Sequence, residues 1–529
     1  MAKHKLVIIG LDGADWRALQ PEIDAGRLPV LARLQAEGCF GPLRSTIRPE
    51  SSVAWSTFAT GVNPGKHGIF GFVRHQPGSY HFSLADSRHV GARCFWDYLG
   101  DADKRVGLVN VPFTYPPRPV NGFLVGGMLT PGKHVTFTYP RALQEKILAR
   151  FESYLFDASE GGQDKSMVGA RVSAFTQQQV ALARWLLTGE AWDCFVVVFT
   201  GLDRLQHFFW DTPEHGAHLR QLDDALGGIL TVVPDDAIVL VMSDHGFNGV
   251  GRRFFVNRWL QQEGYLSLRV SETAVSQLNK LLTRLKTVPL AKQIKRWLLP
   301  AEWGPSQLKV ATFTQAIDWS RTKLYYAPDG GIRINLKGRE LAGIVSPDDY
   351  EVLRAEIRDK LLAVRDAQNG RSPIADVYFR EALYHGPYAE SAPDLIVEPW
   401  RTADEPTDNY LIESKLDRET AVFDVSLPYT GNHAPNGILL AWRPGVIAQQ
   451  SLGESALQDI APTVLAALDV PIPEYMDGRV LHEMFVAEHR PEPTFVADTA
   501  VSPLANQPDI PEEDTSAVEE RLRNLGYLD

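Results

Sequence analysis

The strongest constraint on the fold is a series of short apolar runs that each stop abruptly at acidic, glycine or polar residues. Residues 6–9 end at Gly10-Leu11-Asp12-Gly13, and residues 237–242 end at Ser243-Asp244-His245-Gly246. Similar runs occupy residues 105–109, 194–199 and 437–442. Apolar runs of this length, without polar alternation, are typical of strands that are buried on both faces of a parallel sheet.

Helical patterns lie between these runs, for example over residues 29–37, 170–187 and 212–232. The alternation predicts an α/β fold, with a mostly parallel sheet covered by helices on both faces. In such folds ligands bind beyond the C-terminal ends of the strands. We therefore expect Asp12, Asp203 and Asp244, which follow three of the runs, to lie at one edge of the sheet.

The pattern changes after residue 257 and returns near residue 431, which indicates an insertion. We predict a discontinuous metal-binding core over residues 1–257 and 431–486. Residues 258–430 form an inserted cap subdomain in this interpretation. Residues 487–529 form a C-terminal extension that contains a short helix.

Three aspartates and three histidines flank the apolar runs or glycine-rich turns: Asp12, Asp203, His207, Asp244, His245 and His433. Taken singly, each has a simpler explanation, such as a helix cap or a surface ion pair. Together they offer the carboxylate oxygens and imidazole nitrogens that bind Zn²⁺ or Mn²⁺. Two-metal sites of this kind stabilise the attacking and leaving oxygens in phosphoryl transfer.

A nucleophile is suggested by residues 48–70, which are rich in hydroxyl groups and glycines. A serine at a helix N-terminus beside a metal could attack phosphorus, because the amides of that helix end favour an anion. The alternative is ordinary helix capping by Ser51 or Ser52.

These motifs come in the order found in the type I phosphodiesterase/nucleotide pyrophosphatase family of the alkaline phosphatase superfamily. The chain resembles that family through Asp12, PESSVAWSTFATGVNPGKHGIF, the Asp203/His207 pair, SDHG and GNHAPNG. The resemblance implies an alkaline-phosphatase-like α/β core and a two-metal hydrolase. It also implies Ser51 as the nucleophile, nine residues before Thr60, with Ser52 as the alternative.

The resemblance further implies how the metal ligands are shared. One metal would be held by Asp203, His207 and His433, and the other by Asp12, Asp244, His245 and the Ser51 oxygen. The metals of the family are usually zinc, and manganese is the alternative. In the same segment, His67 is expected to be structural and Lys66 to be exposed to solvent.

The implied activity is hydrolysis of a small phosphate diester or pyrophosphate. The alternatives are a phosphomonoesterase or phosphotransferase of the same superfamily, and a metal-stabilised binding protein without turnover. A sulfatase is disfavoured, because the segment after Ser51 lacks the proline and arginine of the C/S-x-P-x-R pattern.

The charge distribution bears on possible partners. A net charge of −12 argues against general nucleic-acid binding, because phosphate backbones require a basic surface. Residues 275–300, however, carry six basic residues and no acid. They predict either a helix with a solvated basic face or peripheral contact with an anionic membrane surface. The sequence carries no signal for an oligomeric state.

The expected location is the cytoplasm. The three cysteines, Cys39, Cys94 and Cys194, are few and far apart, which favours a reducing compartment. The first apolar run is too short for a signal peptide, and no run is long enough to span a membrane.

Overall fold

The computed structural model describes residues 4–158, 165–269, 316–402, 404–416, 421–427, 429–497 and 512–524. The basic stretch 275–300 lies outside the described residues, so its role stays a prediction. The described strands are β1 Lys5–Leu11, β2 Cys39–Arg44, β3 Val73–His75, β4 Phe82–Leu84, β5 Val106–Val109, β6 Gly122–Val125, β7 Thr138–Tyr139, β8 Cys194–Phe199, β9 Ala237–Met242, β10 Gly246–Gly249, β11 Arg252–Phe255, β12 Leu324–Tyr326, β13 Gly331–Ile334, β14 Ile374–Phe379, β15 Leu395–Pro399, β16 Tyr410–Glu413, β17 Phe423–Asp424, β18 Gly431–Ala434, β19 Asn436–Trp442, β20 Gln450–Ser451, β21 Ser455–Ala456, β22 Ile472–Pro473 and β23 Phe495–Val496.

The helices surround these strands. They are α1 Trp16–Asp24, α2 Pro29–Glu37, α3 Ser51–Thr60, α4 Pro64–His67, α5 Phe95–Asp101, α6 Ala142–Arg150, α7 Val168–Gly189, α8 Gly201–Phe209, α9 Pro213–Leu230, α10 Val256–Gln262, α11 Pro347–Ala363, α12 Arg380–Leu383, α13 Ile460–Ala467 and α14 Glu512–Asn524. None of those described is long and apolar enough to cross a lipid bilayer.

A ten-stranded sheet forms the centre of the fold. Its order is β20-β2-β19-β9-β1-β8-β5-β6-β7, and β21 pairs with β2. The strands β9, β1, β8, β5 and β6 are parallel to their neighbours in this series. Among the described strands of this sheet, the antiparallel pairings are those of β19 with β2 and β9, and that of β7 with β6. The mostly parallel sheet is therefore confirmed, and all five apolar runs of the sequence are strands in it.

Helices cover both faces of this sheet, as the sequence predicts. Alternate residues of β1 point to opposite faces, because side chains alternate along a strand. Leu6 and Ile8 join a core formed with α3, α5 and α13. Val7 and Ile9 join a second core formed with α1, α2, α6, α7 and α9. Each face thus buries its own apolar layer.

A separate group of strands lies in the part of the chain between β10 and β18. It comprises the four-stranded sheet β12-β13-β15-β14 and the three-stranded sheet β16-β11-β17. Both contribute to a third apolar core, together with α10 and α11. The domain boundaries given above stay a prediction.

The close contact between β1 and α3 yields a test of the core packing. A Cβ added at Gly10 would lie 2.6 Å from Trp55 Cη2 and 3.0 Å from Val198 Cγ2. We expect Gly10→Ala to destabilise the protein by about 1–3 kcal/mol through overpacking, measured as a lower midpoint of urea unfolding. The matched control is Gly169→Ala in α7, where nothing lies within 4 Å of the added Cβ. Equal midpoints for the two variants would contradict the packing argument.

Candidate metal centre

Three aspartates meet at one edge of the central sheet. Asp12 directly follows β1, Asp244 follows β9, and Asp203 lies in the first turn of α8, which follows β8. Since β9, β1 and β8 are neighbours in the sheet, their C-terminal ends bring these residues together. All three carboxylates are fully buried. The edge expected from the sequence is therefore where the structure collects the predicted ligands.

The first cluster contains Asp12, Asp244 and His245. His245 Nε2 lies 3.6 Å from Asp12 Oδ1 and 3.3 Å from Asp244 Oδ2. His245 Nδ1 donates a hydrogen bond to the Gly246 carbonyl, 3.0 Å away. Because a carbonyl only accepts, this bond places the proton on Nδ1 and leaves the Nε2 lone pair directed at the two carboxylates.

The second cluster contains Asp203, His207 and His433. Asp203 Oδ1 lies 3.6 Å from His207 Nε2 and 3.1 Å from His433 Nε2, and the two imidazole nitrogens are 3.3 Å apart. His433 Nδ1 donates to the Pro49 carbonyl at 2.7 Å, so its Nε2 is again the nitrogen that faces the cluster. Both ligand sets implied by the resemblance are therefore brought together.

A short antiparallel pairing places the two clusters side by side. Strand β10 begins directly after His245, and β18 carries His433 opposite Phe247. The His245 and His433 rings stack with their centroids 3.9 Å apart. One set of atoms from Asp203, His245 and His433 also lies within 4.8 Å of one another. His245 therefore lies between the two clusters and contacts residues of both.

The electrostatics of the centre are dominated by the burial of several carboxylates and imidazoles close to one another. Burial raises the pKa of Asp12 to about 7, and the charge of Asp203 adds to the rise. Burial and the charge of Asp12 raise the pKa of Asp244 well above its usual range. Burial also opposes ionisation of Asp203, but its imidazole and guanidinium neighbours, His207 first, hold its pKa well below the usual value. Burial lowers the pKa of His207 to about 4, which favours the neutral imidazole that binds metals.

The donor atoms fit a divalent cation. Asp12 Oδ1 and Asp244 Oδ2 are buried and accept no hydrogen bond from the described residues. They are the same two oxygens that face His245 Nε2. In both clusters the donor atoms lie 3.1–3.6 Å from a neighbouring imidazole nitrogen. Two ligands bound at about 2.0 Å to a tetrahedral zinc would be about 3.3 Å apart. Burial removes water from Asp12 Oδ1 and Asp244 Oδ2, and no hydrogen bond from the described residues replaces it. A bound cation would therefore stabilise these two oxygens.

The two candidate serines differ in their surroundings. Ser51 opens α3, and its Oγ lies 3.3 Å from His245 Nε2. Ser52 Oγ instead donates to Glu50 Oε1 at 3.0 Å. Glu50 also accepts a hydrogen bond from the Phe72 backbone, 3.0 Å away. Of the two hydroxyls, the Ser51 hydroxyl is therefore the one beside the metal-ligand candidates.

Two residues at the centre were missed by the sequence analysis. Trp55 Nε1 donates to Asp12 Oδ2 at 3.3 Å, which ties α3 to the end of β1. Ser51 and Trp55 are four residues apart, which places them on the same face of α3. This spacing could have identified Trp55 as a residue of the centre. Arg204 contacts Asp203 from the adjacent position on α8. Helical periodicity gave no indication of that contact.

The segment after the serine has a structural role. His67 is buried between Thr57 and the turn that follows α4, as expected. The expectation for Lys66 is wrong: its side chain is only 21% exposed, and Nζ donates to Asp477 Oδ1 and to the Tyr475 carbonyl, both at 2.6 Å. Asp477 lies 411 residues further along the chain, so the sequence pattern did not reveal this pairing.

Comparison with known proteins identifies the family. A model of the type I phosphodiesterase/nucleotide pyrophosphatase family matches residues 6–404. The chain belongs to this family. It is therefore a metal-dependent hydrolase of the phosphodiesterase/pyrophosphatase type, within the alkaline phosphatase superfamily. A comparison with curated protein sequences gave no match.

Solved structures of the same fold support the architecture. Phosphonoacetate hydrolase from Sinorhizobium meliloti 1021 superimposes with a TM-score of 0.55 at 15% identity, covering 87% of this chain and 94% of that one. Human ectonucleotide pyrophosphatase/phosphodiesterase 5 gives a TM-score of 0.51 at 13% identity, covering 92% and 100%. The murine protein gives 0.51 at 14% identity, covering 91% and 100%. The alkaline-phosphatase-like fold is therefore confirmed.

The buried His67 predicts a pH dependence of stability. Burial lowers its pKa to about 3 from the ordinary 6.5. Between these values the unfolded chain binds a proton that the native imidazole does not, so acid favours unfolding. The free energy of unfolding should fall by about 1.4 kcal/mol per pH unit from this residue. We expect His67→Gln to flatten the decline in urea midpoint between pH 6.5 and 4. The exposed His81 is the control, and a His81→Gln variant with the same flattening would refute the assignment.

Proposed function

We propose that the chain cleaves phosphate diesters or pyrophosphates, with Ser51 as the nucleophile and two divalent cations as cofactors. The observation that carries the proposal is the position of the serine hydroxyl. Ser51 Oγ lies 3.3 Å from His245 Nε2, in the cluster where Asp12 Oδ1 and Asp244 Oδ2 accept no hydrogen bond from the described residues. A hydroxyl in that position can share a cation with the cluster and face phosphorus at the same time.

We assign the cations to the two clusters. One would be held by Asp203, His207 and His433, and the other by Asp12, Asp244, His245 and Ser51 Oγ. Zinc is our first choice because the donors are neutral imidazoles and carboxylates, and manganese is the alternative. When bound, the cations would neutralise the phosphate charge and favour the ionised hydroxyl of Ser51.

The proposed reaction proceeds by two displacements at phosphorus, the first by Ser51 and the second by water. The bond from Ser51 Oγ to phosphorus forms as the bond from phosphorus to the leaving oxygen breaks, and the leaving oxygen takes up a proton. The start of α3 directs its positive dipole end at the phosphate. Water then attacks phosphorus, the bond from phosphorus to Ser51 Oγ breaks, and a proton of that water returns to Ser51 as the phosphate product leaves. Trp55 keeps the serine helix against Asp12 throughout.

The remaining proposals concern substrate and location. A small phosphate ester is the expected substrate, and we expect no nucleic-acid partner. Phosphonoacetate and AMP are present in solved structures of this fold, which supports a small phosphorus-containing ligand.

Cys39, Cys94 and Cys194 are buried and unbonded to one another, which supports a reducing compartment and a cytoplasmic location.

Replacement of the serine tests the nucleophile. We expect Ser51→Ala to lower kcat on the order of 10⁴-fold, because no other hydroxyl would form the covalent ester. Its metal content, measured by elemental analysis, should stay at two ions per chain, since the carboxylates and imidazoles remain.

The matched control is the neighbouring serine. Ser52→Ala removes the hydrogen bond to Glu50 but no group of the proposed centre, so kcat should stay within about tenfold of the wild type. Full activity in Ser51→Ala, or a larger loss in Ser52→Ala, would refute the assignment of Ser51.

A substrate panel tests the reaction class. With Zn²⁺ or Mn²⁺ present, we expect kcat/KM for bis-p-nitrophenyl phosphate or a nucleotide pyrophosphate to exceed that for p-nitrophenyl phosphate by at least about tenfold, or 1.4 kcal/mol. The reverse preference would support the phosphomonoesterase alternative. A phospholipid in the same panel reports on a lipid headgroup as the substrate.

A further inference from the structure

The Arg204 side chain is buried directly behind one of the proposed metal ligands. Only 2% of it is exposed. Its Nη1 contacts Asp203 Oδ2 in a short ion pair, and its Nε and Nη2 each lie 3.1 Å from Asp157 Oδ2. Asp157 and Asp203 are themselves fully buried. The guanidinium therefore joins two carboxylates that come from different parts of the chain.

This arrangement divides the two oxygens of Asp203 between different partners. Oδ2 is held by Arg204, and Oδ1 faces His207 Nε2 and His433 Nε2. A carboxylate that is hydrogen-bonded on one oxygen has a fixed plane, so its other oxygen keeps one direction. Partners of this kind behind a metal ligand typically change metal affinity 10–100-fold when they are replaced.

The geometry requires an arginine rather than any cation. Three nitrogens of one planar group make the contacts with Asp203 and Asp157, and Nη2 also lies 3.5 Å from the Met128 sulfur. A lysine carries its charge at one point and cannot span both carboxylates with fixed geometry. The backbone of Met128 is held in turn by Arg521 of α14, which donates to the Met128 and Thr130 carbonyls at 2.9 and 2.8 Å.

We propose that Arg204 is a positioning residue that, together with Asp157, holds Asp203 as a one-oxygen ligand of the metal shared with His207 and His433. This inference rests on the proposed function, because it takes Asp203 to be a ligand. In this role Arg204 does more than balance charge, because a positive charge alone would not fix the plane of the Asp203 carboxylate.

The experiment compares Arg204→Lys with the wild type by Zn²⁺ titration of metal-free full-length protein and by the visible spectrum after Co²⁺ loading. Wild-type protein should bind two ions. In Arg204→Lys, one of the two sites should weaken about 10–100-fold while the other keeps its affinity. The Co²⁺ spectrum should change, because the orientation of a ligand oxygen alters the absorption of the ion. A purely structural role would lower stability without changing the spectrum.

Two further variants control for folding. Arg118→Lys alters another buried arginine–aspartate pair, in which Arg118 Nη2 lies 2.7 Å from Asp97, and it should bind both ions normally. The double variant Arg204→Met/Asp157→Leu removes the guanidinium together with the Asp157 charge, so that Asp203 is the one carboxylate of the three-residue group left to be neutralised by its imidazole neighbours and the bound cation. It should show the same loss at one site, even if Arg204→Lys does not fold.

The outcomes separate this inference from the proposed function. Two sites of wild-type affinity in Arg204→Lys, or in the double variant, would overturn the positioning role and leave the two-metal proposal intact. Fewer than two ions in the wild type would overturn the two-metal proposal itself. An equal loss in Arg118→Lys would show a general effect of buried arginines and would also overturn the inference.

Discussion

The burial of three carboxylates at adjacent strand ends is the interaction on which the rest of the structure depends. Asp12, Asp203 and Asp244 are removed from water within a few ångströms of one another, and this costs free energy unless positive charge or hydrogen bonds compensate. The surroundings compensate unevenly. Asp203 has a guanidinium and two imidazoles beside it, which hold its pKa low, whereas burial and the charges of neighbouring carboxylates raise the pKa of Asp12 and Asp244. A cation would therefore compensate most of the cost of burial beside Asp12, Asp244 and Ser51.

The helix that carries the serine also connects the central sheet to the part of the chain between β10 and β18. The loop after α3 holds Asn63, whose amide oxygen accepts hydrogen bonds from the Gly65 and His385 backbones. A Cβ at Gly65 would lie only 2.5 Å from the His385 carbonyl oxygen, so a glycine is needed for that contact. Asp477 accepts a hydrogen bond from the Asn63 side chain at 3.0 Å. A displacement of the segment around His385 would thus be transmitted to the end of the serine helix.

The sequence predicted the features that depend on neighbouring residues and missed those that depend on distant ones. The apolar runs identified β1, β5, β8, β9 and β19, because burial on both faces leaves a continuous local pattern. The candidate ligands followed from the turns after those runs, and the resemblance grouped them. Lys66 was misjudged and Arg204 was overlooked, because their partners Asp477 and Asp157 are separated from them by 411 and 47 residues. Such pairs leave no periodicity in the sequence.

The position of His245 explains why the two clusters would act together. Its Nε2 faces Asp12 and Asp244, while its ring stacks on His433, which belongs to the other cluster. Two cations held by the two clusters, on either side of His245, would lie close together. Cations held by these residues would neutralise the charge that develops on the attacking and leaving oxygens of one phosphate. Since Ser51 lies on the Asp12 side, attack would start there, and the leaving group would depart toward Asp203, His207 and His433. The residues that discriminate between leaving groups should therefore surround the second cluster rather than the serine.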